Sequence, residues 1–121
     1  MLRPCFMSYK ISTIEVFDRQ AHQLAKHYPS FRDDYRQFLA DLQENPLQGS
    51  DLGGGIRKIR MAIASKGKGK SGGARVITYT ADIIVQKQEG EVILLSIYDK
   101  SNRSTISDRE IKRLKKIIGL E

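Results

Sequence analysis

The chain of 121 residues has no acidic residue between Leu52 and Ala81, a single cysteine, three prolines and no long apolar run. Its longest apolar stretch, residues 92–95 with Ile97, is strand-sized. A membrane-spanning helix needs roughly 18 such residues, so none is expected. The amino end, MLRPCFMSYK, carries an arginine but lacks the apolar core of a secretory signal, which makes the cytoplasm the expected compartment. Cys5 has no second cysteine to pair with, which excludes an internal disulfide and a cysteine-pair metal site and fits a reducing compartment. What remains is ordinary for a globular chain, with 40% hydrophobic and 29% charged residues. The length is that of one domain, which typically holds about 100–150 residues.

The absence of acid is the informative one. Overall, 21 Lys and Arg face 14 Asp and Glu, for a formal charge of +7. Seven of the basic residues (Arg57, Lys58, Arg60, Lys66, Lys68, Lys70 and Arg75) lie in the acid-free segment, so the rest of the chain balances. Charge that served only solubility would be interspersed with carboxylates, whereas one thirty-residue cationic segment in an otherwise neutral chain implies a dedicated anionic partner. Nucleic acid leads, with acidic protein or lipid head groups behind it.

Period and punctuation divide the chain. Tyr9, Ile11 and Thr13 alternate with Ser8, Lys10 and Ser12, which predicts a short half-buried strand. Phe17, Ala21, Leu24 and Tyr28 recur at helical spacing until Pro29 ends the pattern. Ser30 with Asp33 reads as a helix-starting cap, and Phe31, Tyr35, Phe38, Leu39 and Leu42 form the apolar face of a second helix that runs to Asn45-Pro46. The two helices are expected to form a hairpin. Residues 49–55 read as a turn-rich connection, followed by strands over 56–64, 74–84 and 91–98 joined as antiparallel hairpins. Ser107 and Glu110 match a capping box, with Ile111, Leu114, Ile117 and Ile118 as the buried stripe and Gly119 as the stop. The expected fold is α+β: a small antiparallel sheet packed against a two-helix hairpin plus a C-terminal helix, in the order β-α-α-β-β-β-α.

The strongest chemical signal is the hairpin GGGIRKIRMAIASKGKGKSGGARVITY. Along its first strand Arg57, Ile59, Met61 and Ile63 point one way and Lys58, Arg60 and Ala62 the other, so one face is buried and one basic. Arg57 is the mixed case and belongs at the strand's edge. Arg75 and Val76 project to opposite faces, and Arg75 joins Lys58 and Arg60 if the register allows. Such a surface suits a phosphate chain, while its plain reading is a solvated strand pair with a flexible Gly-Lys turn. The loop SKGKGKSGG is not a nucleotide-binding P-loop, because it joins two strands and not a strand to a helix. Arg57, Lys66 and Lys70 are the candidate nucleic-acid contacts, together with Tyr79 and Tyr98, whose ordinary role on strands is cross-strand packing. Lys100 follows the last strand within reach of the same face. His22 and His27, five apart on one helix, do not make a metal set, and Asp33 and Asp34 suit the positive end of a helix dipole better than acid catalysis. No metal or cofactor is expected.

Those residues carry a resemblance. The order of elements, LGGGIRKIRMAIASKGKGKSGGARVITY and the later LLSIYDKSNRSTISDREIKRL are similar to the RelE/ParE superfamily of toxins from type II toxin–antitoxin pairs, above all its RelE/HigB-like members, over nearly the whole chain from Ser8. Met7 then stands as an alternative start, with residues 1–7 as an extension ahead of one domain over 8–121. The resemblance implies a ribosome-dependent, metal-independent endoribonuclease that cleaves mRNA and inhibits translation, held in check by a cognate antitoxin. By the same resemblance Lys58 and Arg60 match the paired cations of the second strand, Arg75 the arginine opening the third and Lys100 the cation after the fourth. These four, with Lys68, are the catalytic candidates. Arg60 and Arg75 suit stabilisation of a phosphorane; Lys58, Lys68 and Lys100 are acid–base candidates among which the sequence makes no choice. The tyrosine that some RelE members carry near the final helix corresponds here to Ile106, which excludes a tyrosine base at that position. Two rivals stand beside this reading: a ParE-like inhibitor of DNA gyrase, and a non-catalytic RNA- or ribosome-binding module of the same fold.

Overall fold

The computed structural model describes residues 8–102 and 105–120. Cys5 and the expected extension over 1–7 lie outside the described residues. The elements are β1 (Lys10–Thr13), α1 (Glu15–His27), α2 (Phe31–Glu44), β2 (Ser50–Gly53), β3 (Ile56–Met61), β4 (Ala74–Ile84), β5 (Glu89–Asp99) and α3 (Asp108–Ile117). They form one five-stranded sheet in the order β1-β5-β4-β3-β2, with α1 and α2 on one face and α3 on the other.

The α+β architecture is the one the periodicity predicts, and two details of the sheet differ. First, the sheet is mixed: β1 lies parallel to β5, pairing Lys10 with Glu91 and Thr13 with Leu94, while the other neighbours are antiparallel. The reason lies in α1, which continues along β5. Ile14 N–H donates to Leu94 O, and six residues later the Gln20 side-chain oxygen accepts from Ile97 N–H. Six helical residues advance about 9 Å and three strand residues about 10 Å, so helix and strand keep step only when both run the same way. Second, the turn-rich connection contains β2, whose four residues are all exposed. Main-chain bonds to the edge of β3, with Ser50 opposite Lys58, make it a strand, and it has no apolar alternation to announce it.

The predicted first strand of the basic hairpin also ends early. β3 stops at Met61 because the chain leaves the sheet for the N-terminus of α2, where Ala64 N–H donates to Asp34 Oδ2 (3.0 Å). Ser30 stands at the N-cap position of α2 as expected, but its side chain makes no capping bond. Its hydroxyl bonds Asp34 Oδ2 at 2.6 Å and accepts from Ser65 N–H at 2.9 Å, tying the loop after β3 to α2. The capping box at α3 is present, with Ser107 and Glu110 each bonded to the other's backbone N–H.

Alternation sorts the core into two layers. Ile59 and Met61 of β3, Val76 of β4 and Leu94 and Ile97 of β5 meet Phe17, Phe31, Phe38 and Leu42 of the helical hairpin. On the other face Ile56, Ile77, Leu95 and Tyr98 lie with Ile106 and Leu114. Leu94 and Ile97 are three apart and still share a face because the β4–β5 ladder slips by one residue between Ile77 and Thr78.

Leu42 is fully buried, so Leu42→Ala removes atoms that the surrounding rings cannot replace. It is expected to destabilise the fold by about 2–5 kcal/mol, whereas Leu52→Ala on exposed β2 stays within about 0.5 kcal/mol. Urea unfolding at neutral pH compares the two.

Candidate functional site

Register decides what the basic hairpin becomes. Across β3, β4 and β5, Arg60 pairs with Arg75 and Arg75 with Tyr98, while Lys58 pairs with Ile77. Directly opposite side chains share a face, so Lys58, Arg60, Arg75 and Tyr98 stand on the α3 side of the sheet, as parity predicts. Two arginines face one another there with no acidic side chain in the row. Like charges so placed repel unless acceptors stand close by.

Arg75 is handled differently from Arg60. It is only 5% exposed, and its guanidinium donates to the loop carbonyls of Lys70 (3.2 Å) and Ser71 (3.0 Å) and to Ala74 O (3.2 Å). The expectation of a surface arginine therefore needs correcting: Arg75 lies beneath the loop and holds it. Arg60 is exposed. With Lys70 it lines a small cavity of about 80 Å³, whose opposite wall is Asp34, Gln37 and Asp41 of α2. Among the described residues, the side chains of Lys58, Arg60, Lys68, Lys70 and Lys100 make no hydrogen bond or ion pair.

The loop, residues 65–73, is tied at both ends. Lys66 was expected as a nucleic-acid contact, yet its side chain is 6% exposed and ion-paired to Asp99, itself 5% exposed. Lys66 Nζ also donates to Ser101 Oγ (2.8 Å) and Gly73 O (3.4 Å) and lies 5.6 Å from the centre of the Tyr28 ring. Asp99 in turn accepts from Tyr28 OH and from Ser101 N–H. Burial alone would raise the Asp99 carboxyl, but the bonds from Lys66, Tyr28 and Ser101 outweigh it and hold the group at about 2; the bond to Asp99 pushes the Tyr28 phenol up, with burial adding to it. Gly73 fits because a Cβ there would stand 2.1 Å from Met61 O, and Gly72 because a Cβ would meet the stem of Lys68, which lies across it.

Arg57 also departs from its expected role as a contact. Its Nε donates to Gln48 O (3.0 Å) and its Nη2 to Gly49 O (3.1 Å), with Asp51 at 3.9 Å, so it secures the connection into β2 away from the basic row. Tyr79 and Tyr98 take the cross-strand role: Tyr79 pairs with Ile56 and Tyr98 is buried in the second core layer. Lys100 sits at the loop base, its backbone N–H donating to Gly73 O (3.0 Å). Ile106 is core, 7% exposed. Among the described residues no His, Cys, Asp and Glu cluster could hold a metal ion, and no helix is long and apolar enough to cross a membrane. Of the residues that fasten the loop, the sequence pattern leaves Asp99 unmarked and shows Tyr28, Ser30 and Asp34 only in their helical roles. The one available signal was an acid at the end of an apolar strand, immediately before Lys100.

Residues 16–120 match the family model described as the RelE toxin of the RelE / RelB toxin–antitoxin system. Among solved structures the chain is similar to a crystal structure of the isolated E. coli RelE toxin, at 19% identity and a TM-score of 0.49, covering 90% of this chain and 98% of that one.

Removing one partner of the buried Lys66–Asp99 pair strands the other charge. Lys66→Met and Asp99→Asn are each expected to destabilise by about 3–5 kcal/mol, and the double variant by clearly less than their sum. Because Asp99 titrates below its ordinary 3.8, its contribution is present above about pH 4 and drains away as pH falls toward 2, by roughly 2 kcal/mol. Guanidinium unfolding between pH 5 and 2 should show that limb in the wild type and a flatter one in Asp99→Asn.

Proposed function

Since the chain belongs to the RelE family of toxins from toxin–antitoxin systems, we propose that it is a ribosome-dependent, metal-independent mRNA endoribonuclease that stops translation and is neutralised by a cognate antitoxin in the cytoplasm. The observation that carries this reading is the set of unengaged cations, Lys58 and Arg60 on β3 with Lys68 and Lys70 in the loop that follows, where none of the strand residues paired with Lys58 and Arg60 is a carboxylate.

The chemistry asks for little more. RNA supplies the nucleophile in its 2′-hydroxyl, and cleavage at the adjacent phosphate needs that hydroxyl deprotonated, the phosphorane charge stabilised and the leaving 5′-oxygen protonated. Arg60, exposed and always charged, offers two parallel donors to the developing charge. Lys58, Lys68 and Lys100 are the candidates for proton transfer. Arg75 contributes by fixing the loop that carries Lys68 and Lys70, through its bonds to the Lys70 and Ser71 carbonyls. These groups lie on an open face and not in an enclosed cleft, so substrate orientation must come from a second surface. The decoding site of a ribosome is such a surface, and orientation supplied in this way is worth on the order of 7–11 kcal/mol.

Ile106, a core residue where some members carry tyrosine, favours a second reading, a module that occupies the ribosome without cutting. Mapping transcript ends during controlled expression separates the two. Cuts confined to translated frames support cleavage; arrested growth with intact transcripts supports the module, and altered supercoiling a gyrase target.

The expected kinetics distinguish the two arginines. Arg60→Ala should slow single-turnover cleavage on programmed ribosomes by about a hundred- to a thousand-fold, or roughly 2.7–4 kcal/mol, at an unchanged melting temperature. Arg75→Ala should lose cleavage and melting temperature together, because it also frees the loop. A wild-type rate from Arg60→Ala overturns the assignment.

A further inference from the structure

Past Tyr98, the row of Arg60, Arg75 and Tyr98 meets the edge of β5, and β1 covers only the first part of that edge, up to Leu94. Beside residues 97–99 a groove lies between α1 and the end of β5. It holds about 310 Å³ and is lined by Gln20, Gln23, Tyr98 and Asn102. The same two glutamines also line a neighbouring cleft of about 380 Å³, with Val16 and Arg19 of α1 and Arg113 of α3. These are the dimensions of a small-ligand site. The groove is lined by the apolar Leu24, Ile97 and Tyr98, by the amides of Gln20, Gln23 and Asn102 and by one carboxylate, Asp99, which is ion-paired to Lys66; the guanidiniums of Arg19 and Arg113 stand in the adjoining cleft. Gln20 is fixed, its oxygen accepting from both Ser96 Oγ (3.0 Å) and Ile97 N–H (2.9 Å), which leaves its NH₂ as the group that does not serve the strand.

We propose that this groove is a subsite for single-stranded RNA next to the reacting phosphate, with Arg19 and Arg113 holding the backbone and Gln23 and Asn102 meeting base edges. The inference rests on the nuclease reading and adds a path for the substrate beyond the cationic row. Continuity supports it, since Tyr98 belongs both to the row and to the groove wall. The chemistry favours RNA over a peptide strand: the Ile97 N–H that strand addition would use is taken by Gln20, and carboxamides carry the paired donor and acceptor that read a base edge.

The test uses exposed residues, so the fold is preserved and melting temperature is the control. A fluorescein-labelled, non-cleavable 2′-O-methyl RNA of mixed sequence is titrated with the wild type, with Arg19→Gln/Arg113→Gln and with Gln23→Ala at several salt concentrations. Loss of two phosphate contacts should lower the slope of log affinity against log salt by about 1.4 for single strands. Gln23→Ala should keep the wild-type slope and lose preference among homopolymers. An unchanged slope and affinity in the double variant, or a wild type that does not bind the oligonucleotide, overturns the subsite. Ribosomal cleavage by the wild type is measured separately. If it fails, the nuclease reading falls while the salt slope still decides the groove; if cleavage is intact and the slope is unmoved, the groove alone is wrong.

Discussion

A buried carboxylate, Asp99, is the point on which the cationic face depends. Two segments distant in the chain converge on it, the end of α1 through Tyr28 and the start of the loop through Lys66, and Ser101 just beyond β5 adds its N–H. A carboxylate taken out of water is costly unless nearly every lone pair finds a donor, and here a cation, a phenol and a main-chain N–H supply them. The arrangement holds only when the loop ends lie against β5. Fastening the loop and keeping the charge satisfied are therefore one requirement.

That requirement explains why a segment so rich in glycine and lysine is not left as a free tether. The near end of the loop is fixed twice, by Ser30 and Asp34 on α2 and by Lys66 on Asp99; the far end is fixed by Gly73 O, which accepts from Lys100 N–H, and by the Arg75 guanidinium on the Lys70 and Ser71 carbonyls. Of the seven cations in the acid-free segment, Arg57, Lys66 and Arg75 spend their donors on the protein's own carbonyls and carboxylates. Lys58, Arg60, Lys68 and Lys70 remain for an external anion. The concentration of charge thus has two uses, and the division between them follows burial.

The sheet supplies the platform because its two faces have different duties. Aromatic and aliphatic residues from α1 and α2 cover one face of β3, β4 and β5, and the other carries polar residues beside the smaller cluster under α3. The slip in the β4–β5 ladder reconciles the two: it turns Leu94 and Ile97 inward together and leaves Tyr98 in line with Arg75. α1 then occupies the part of the β5 edge that β1 does not reach, with Gln20 bonding the exposed strand as a neighbouring strand would.

Periodic features were legible in the residues alone. The apolar stripes of Phe17 to Tyr28 and Phe31 to Leu42, the capping box at Ser107, the two long strands and the alternation that separates Lys58 and Arg60 from Ile59 and Met61 follow from local sterics and from which side chains must leave water, and those act within a few residues of chain. The cationic segment was legible for the same reason, since composition is local. What only the tertiary structure decided is pairing across distance. The parallel placement of β1, the exposed strand β2, the burial of Lys66 against Asp99 thirty-three residues away and the commitment of Arg75 to the loop carbonyls all depend on which backbones come to lie side by side. A lysine in a glycine-rich loop has the same local pattern whether it faces solvent or a buried carboxylate. Its environment is set by the register of β4 against β5, and no periodicity around residue 66 encodes that register.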